Sequence, residues 1–198
     1  MVAERQRRED GAPEQQRPRD RTGRPLAFDT TVTPLAQTHE PGDVEQALAF
    51  GRTLWNEARF FEAHECLEAV WHAAPRNDRA LWQGVIQVAV AEVHRQRGNP
   101  QGAVTLYQRA LTQLEGYPAV WRGVDVATLT RYANRSRHSL LSHGEGLAPP
   151  VFPDAEGGAW FANDDDQDAP SPNPTPLVDT PRWLREGQRR SPQRRATR

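Results

Sequence analysis

Residues 56–99 read NEARFFEAHECLEAVWHAAPRNDRALWQGVIQVAVAEVHRQRGN, two apolar patterns joined by the polar turn Pro75-Arg76-Asn77-Asp78. In both patterns apolar residues recur every three or four positions, the period of a helix rather than of a strand. In the first, Ala63, Leu67 and Val70 form an apolar stripe. Phe60, Phe61, His64, Glu68 and Trp71 adjoin it in an arc of roughly 100° on the helical wheel. Glu62 and Ala69 fall opposite, toward solvent, and Glu65 and His72 fall at the boundary.

The second pattern is apolar over more than half its circumference, through Leu81, Trp82, Val85, Ile86, Val88, Ala89, Val90 and Val93. A helix of that kind is central to its domain. Its remaining stripe holds Gln83, Gln87 and His94, with Arg79 at the edge and small residues Ala80, Gly84 and Ala91 beside it. Polar groups set among large apolar ones cost free energy unless they are paired. The expectation is a close contact of the two helices, with Arg79, Gln83 and Gln87 turned toward His64, Glu65 and Glu68.

Outward from this hairpin the pattern stays helical. Asp43 is a good N-cap after Pro41-Gly42, and Val44, Ala47, Leu48, Gly51, Leu54 and Trp55 then mark one face of a first helix. The second helix covers about 59–73 and stops before Pro75, and the third begins at Asn77 or Asp78 as N-cap and ends at Gly98-Asn99-Pro100. A fourth spans about 101–114, with Ala103, Leu106, Tyr107, Ala110, Leu111 and Leu114 inward. A fifth begins at Asp125, carries Val126, Leu129, Ala133 and Leu140, and ends near His143-Gly144. No segment alternates with period two, so no sheet is expected. Asn56–Phe60 and Gln96–Pro100 form a weak internal repeat, each a tight turn between helices followed by a small residue, the layout of tetratricopeptide-like hairpins. Two copies are too few for a solenoid, which favours an all-α, compact bundle of about five helices.

The domain is thus expected at 42–143. Residues 1–41, rich in Arg, Glu, Gln and Pro, and 144–198, rich in Pro, Gly and Asp with an arginine-rich end, read as disordered tails. Trp160-Phe161 and Trp183-Leu184 are the apolar anchors of the second tail. Of the 198 residues 26% are charged, with a net charge of −1, which gives no argument for nucleic acid or a membrane surface. No run is long and apolar enough to span a bilayer, the first ten residues lack a signal-like apolar core, and one cysteine, Cys66, permits no intrachain disulfide. These features favour the cytoplasm. The chain contains no lysine, so a Schiff-base lysine and a phosphate-loop lysine are both excluded.

The segments EAHECLEAVW (62–71), Arg79-x3-QGVIQVAVAEVH ending at His94, and RGN-x2-GA (97–103) carry a family pattern. In their order and spacing the chain resembles the bacterial and archaeal "domain of unknown function" family numbered 309, over about Ala47 to Leu114. Val85 stands where that family commonly has leucine. The resemblance implies an all-helical domain and marks His64, Glu65, Glu68, Trp71, Arg79, Gln83, Gly84, Gln87, His94, Gly98 and Asn99. It implies no established reaction.

His64-Glu65-x-x-Glu68 is like the first half of a zincin helix, but lacks the second His that would turn two imidazoles to one metal. No Glu-x-x-His pair occurs in the domain, which argues against a di-iron centre. No cofactor and no metal are expected. Two readings remain for His64, Glu65, Glu68, Trp71, Arg79, Gln83, Gln87 and His94. One is a binding or scaffold module that uses the groove between helices two and three for a protein or small-molecule ligand, the cluster being either a buried network fixing how the helices pack or a small-molecule or peptide pocket. The other is a hydrolase-type or metal-dependent enzyme, with Glu68 or Glu65 as base, His64 as acid or ligand and Arg79 holding an anionic group. Cys66 is expected as an inert core thiol, and Arg131, Arg135 and His138 as a solvated face.

Overall fold

Three side chains start helices by accepting a backbone N–H that the helix itself leaves unpaired. Asp43 takes that of Gln46 at 2.9 Å, Asn99 that of Gly102 at 2.9 Å, and Asp125 that of Thr128 at 2.8 Å. The computed structural model describes residues 19–24, 26–27 and 43–155. Within them lie α1 (Val44–Asn56), α2 (Phe60–Ala73), α3 (Arg79–Gln96), α4 (Pro100–Leu114), β1 (Val120–Trp121), β2 (Val124–Asp125) and α5 (Val126–His143). Among the described residues the fold is all-α but for that two-residue ladder and an isolated antiparallel bridge of Val124 with Asp154. Among the described residues no helix is long and apolar enough to cross a membrane.

Each helix packs against the next in sequence, and α3 lies between α2 and α4 with every residue from Ala80 to Val93 buried. The close contact expected between α2 and α3 is instead made with α4 at Gly84. A Cβ added there would sit 2.7 Å from Leu114 Cγ, so only glycine allows this approach.

The weak repeat extends to the backbone. Ala58 and Gly98, forty positions apart, both adopt positive φ, 56° and 69°. The hydrogen bonds Glu57–Thr53, Ala58–Trp55, Arg59–Leu54 and Ala63–Arg59 recur forty positions on as Arg97–Val93, Gly98–Arg95, Asn99–His94 and Ala103–Asn99. Gln96 Nε2 donates to the Ala58 carbonyl at 2.8 Å and ties the two turns together.

Asp78 precedes α3 as expected, but its side chain does not cap the helix. Buried, it accepts from Trp121 Nε1 at 2.8 Å and from Arg122 Nε at 2.8 Å. Tyr117 does the capping: its hydroxyl accepts the Leu81 N–H at 3.2 Å and donates to the Asn77 carbonyl at 2.7 Å.

The expectation of no sheet is corrected by an antiparallel hairpin that pairs Val120 with Asp125 and Trp121 with Val124. Arg122 and Gly123 turn it with φ 48° and 71°, the two positive values of a tight hairpin turn. Two-residue strands are too short to show alternation.

Two extended segments fasten the helices. After α5 the chain continues as a strap at 145–155. Trp55 Nε1 donates to the Pro150 carbonyl at 3.0 Å, the Phe152 N–H donates to Asn56 Oδ1 at 2.7 Å, and Arg52 pairs with Asp154. Phe152 is buried edge-on against Trp55, and the Asp125 N–H reaches the Pro153 carbonyl at 2.9 Å. At the other end, residues 19–24 form a turn on Phe61 and the end of α3. Arg97 Nε donates to the Thr22 carbonyl at 2.8 Å, and Arg24 Nη2 donates to the Arg97 carbonyl at 2.6 Å. Apart from these segments and 26–27, the tails expected at 1–41 and 144–198 lie outside the described residues, as do Trp160-Phe161 and Trp183-Leu184.

Candidate functional site

The α2–α3 hairpin is antiparallel, and two cation–ring contacts fix its register. Arg79 at the start of α3 lies over the Trp71 ring at 6.0 Å, and Arg97 just past its end lies over Phe61 at 5.9 Å. Glu68 and His64 therefore fall level with the middle of α3. Gln83 and Gln87 are 3% and 4% exposed, the floor of this region, while His64, Glu68 and Arg79 are only partly buried and form its rim.

The polar atoms here are unusual. Glu68 Oε1, Trp71 Nε1, Gln83 Oε1 and Gln87 Oε1 are buried, and none has a hydrogen-bond partner among the described residues. Leaving a buried donor or acceptor unmet costs about 1–3 kcal/mol each. Arg137 Nε on α5 is also unmet, but four such atoms on one hairpin make a cluster.

The other residues singled out by sequence lie as follows. Arg79 donates through Nε to the Ala74 carbonyl at 3.2 Å, closing the end of α2, rather than reaching a carboxylate. Glu65 is exposed, though near enough for its charge to act on Glu68. His94 sits at the α3–α4 turn, where its Nδ1 lies 2.8 Å from Asn99 Nδ2. The amide is a donor, so His94 Nδ1 accepts, and the ring proton of the neutral imidazole is on Nε2. Burial, with Arg97 adding to it, lowers the His94 pKa and favours that neutral ring. The register thus sets Glu68 and Trp71 level with the Gln83–Gln87 stretch of α3, with Arg79 over Trp71, while Glu65 is exposed and His94 sits at the α3–α4 turn.

The site reverses the usual order of proton affinities. Burial raises the Glu68 carboxyl to about 8, with the Glu65 charge acting in the same direction. Burial lowers His64 to about 4, opposed by hydrogen bonding to the backbone of Phe61 and Phe60 and assisted by the charges of Arg97 and Arg19. At neutral pH the imidazole is neutral and the acid mostly holds its proton. If these groups moved protons, Glu68 would be the acid and His64 the base, the reverse of the order expected from sequence.

Sequence reasoning overlooked two buried carboxylates. Glu62, expected toward solvent, is 3% exposed and is held by Arg59, with Nε to Oε1 at 2.9 Å. Glu92, 3% exposed, is the hub of a larger network. Tyr107 donates to it, Tyr132 donates at 2.6 Å, and Arg95 Nη1 binds its other oxygen at 2.7 Å. Arg95 Nη1 also reaches the Leu147 carbonyl in the strap at 2.6 Å. Glu92 sits one turn beyond Val88 on the α4-facing side of α3, so a polar residue on an apolar face opposite Tyr107 was the available signal.

Two open clefts lie away from the polar cluster on the α2–α3 hairpin. One of about 540 Å³ is lined by Phe60, Glu92, Arg95 and Gly98 with the chain at 144–149, and one of about 450 Å³ lies between α4 and α5. Neither adjoins His64 or Glu68. Among the described residues no three His, Cys, Asp or Glu side chains gather as metal ligands. Cys66 is buried, and its thiol is pushed up to about 12 by burial and by Glu65 and Glu62, as suits an inert core thiol.

The fold and this cluster define a helical domain with a polar hairpin site. Residues 48–106 match the family model described as Domain of unknown function (DUF309). An uncharacterized protein of Aquifex aeolicus (strain VF5) is 30% identical over 79 residues, covering 39% of this chain and 24% of the relative. The uncharacterized protein YpuF of Bacillus subtilis (strain 168) is 39% identical over 57 residues, covering 28% of this chain and 33% of the relative. The chain thus spans 24% and 33% of the length of these curated relatives. The matched stretch contains the whole polar cluster and Glu92, but ends before Tyr107, the β hairpin and α5.

Proposed function

We propose that this protein is a cytoplasmic binding module that takes up a ligand or partner along the α2–α3 hairpin, through Glu68, Trp71, Gln83 and Gln87. One observation carries the reading: four buried polar atoms on these residues have no hydrogen-bond partner among the described residues. A packing network would have satisfied them, because a half-satisfied network is worse than an apolar contact. Atoms left unmet at a cost to stability suit groups supplied from outside. Glu68→Ala tests this. With no partner stranded, the melting temperature of the variant stays within about 2 °C of the parent or rises. A loss of about 3 kcal/mol, the signature of a stranded buried partner, would refute the binding reading.

A second reading, a hydrolase, is favoured by the reversed proton affinities of Glu68 and His64. Pairs of titratable groups pushed apart in this way mark acid and base roles at active sites. Glu68 would then donate a proton to the leaving group, and His64 would activate water. That reading requires ester or amide turnover abolished by Glu68→Gln, with loss on the alkaline side near pH 8.

A further inference from the structure

We propose that the cleft beside Arg95 binds a small ligand carrying one carboxylate on an apolar body, held by the Nε–Nη2 edge of the guanidinium. The cleft stands apart from the Glu68 cluster, and its ligand need not be that of the hairpin. Arg95 is fixed from one side. Its Nη1 donates to Glu92 Oε2 at 2.7 Å, to the Leu147 carbonyl at 2.6 Å and to the Tyr132 hydroxyl at 3.0 Å. Nε and Nη2 have no hydrogen-bond partner among the described residues.

The face of the guanidinium is covered as well. A Cβ added to Gly146 would overlap Nε and Cζ and come to 2.7 Å from Nη2, so the backbone there lies over the plane of the group. The Nε–Nη2 edge is left as the part open to the cleft, on a side chain 20% exposed. A donor pair held in this way loses little freedom when it binds. Around it the cleft has apolar walls from Ala58, Phe60, Leu140 and Pro149. Its volume of about 540 Å³ lies within the range of small-molecule pockets.

The chemistry of the edge selects the ligand. Glu92 balances the charge of Arg95, with Oε1 bonded by Tyr107 and Tyr132 and Oε2 by Arg95. The edge therefore offers two directed N–H groups rather than net charge. A carboxylate presents two coplanar oxygens that meet such an edge side by side. An amide presents one oxygen and leaves the second donor unmet. A phosphate dianion would bring two charges beside Glu92 and Glu145, with one guanidinium to answer them all. Glu145 is exposed on the rim and has no ion pair among the described residues. An ammonium next to the ligand carboxylate would meet it. The ligand is thus a simple apolar acid or an apolar α-amino acid.

The test is an NMR titration of the isotope-labelled full chain at pH 7 and low salt, read at the Arg95 Nε–H signal. Isovalerate should shift that signal and saturate at millimolar concentration. Isovaleramide, with the same body and no charge, should bind at least about tenfold more weakly, and so should isovalerate to Arg95→Lys. Because Arg95 also anchors Glu92, a second variant leaves the core untouched. Glu145→Lys on the rim should tighten isovalerate about twofold or more. An Arg95 signal unmoved by both isovalerate and valine, equal binding of the amide, or affinities unchanged in Glu145→Lys would overturn the proposal. Valine separates the two sources. Binding tighter than isovalerate, with that advantage lost in Glu145→Lys, assigns the cleft to amino acids; binding no tighter assigns it to simple acids.

Discussion

Between pH 6.5 and 8 the stability of this fold depends on Glu68. Inside the fold Glu68 keeps its proton up to about pH 8, against an ordinary value of 4.5. Between those values the folded chain holds a proton that the unfolded chain has released. The associated stability is full below pH 4.5, falls as pH rises, and is gone above about 8. His64 acts in the opposite sense. Lowered to about 4 from 6.5, it stays neutral in the fold while the unfolded chain takes up a proton, so its contribution grows with pH up to 6.5. Below pH 6.5 the two slopes offset each other, and His94, lowered in the same direction as His64, also acts there. Cys66, pushed up to about 12, acts only above its ordinary value of 9.0. Among the described groups with a shifted affinity, Glu68 is the one whose folded and ordinary values span the whole interval from 6.5 to 8. A full proton is worth about 1.4 kcal/mol per pH unit, hence about 2 kcal/mol over the interval. For a domain of about 110 residues this lowers the melting temperature by about 8 °C, an upper figure because Glu68 is partly exposed. Calorimetry of the parent and of Glu68→Gln at half-unit steps of pH reads it directly. The parent should lose stability across the interval while the variant stays level and is the more stable of the two at pH 8. Equal slopes for both proteins would refute the reasoning.

Three further outcomes follow from the packing. Ala58 holds a left-handed conformation at φ 56° that Gly98 holds at the matching turn, so Ala58→Gly should stabilise and Gly98→Ala destabilise, each by about 1 kcal/mol in urea unfolding. Glu92→Ala strands Arg95, Tyr107 and Tyr132 at once and should cost about 3–5 kcal/mol by thermal denaturation. Gly84→Ala drives a methyl to 2.7 Å from Leu114 Cγ and should cost about 1–3 kcal/mol, and less when made in a Leu114→Ala background, which removes the clashing atom.

The five helices were legible because each carries its own signal. Asp43 and Asp125 sit where caps belong, Gly98-Asn99-Pro100 marks a stop, and the apolar spacing of Leu48, Leu54, Ala103, Leu106 and Leu129 repeats with the helical period. Partners distant in sequence were not legible. Asp78 reads locally as a cap, and only Trp121 and Arg122, more than forty positions on, draw its carboxylate away. Glu62 lies on the face that a wheel assigns to solvent, until Arg59 pairs with it. The α3 helix is buried all round, so its pattern cannot tell which flank meets α2 and which meets α4, and Gly84 was assigned to the wrong neighbour. The strap at 145–155 looks like a tail by composition, yet Phe152 anchors it in the core. The polar cluster was legible as residues. That Glu68, Trp71, Gln83 and Gln87 leave atoms unmet depends on side-chain geometry, which spacing alone does not carry.

Calorimetry of Gln83→Met with Gln87→Met at pH 7 bears most directly on the hairpin site. Methionine keeps the length of glutamine and removes two unmet acceptors, so the double variant should melt at the parent temperature or up to about 4 °C above it. A melting temperature about 8 °C or more below the parent would show that those amides have partners inside the folded chain, and a site held open for an outside ligand would be contradicted.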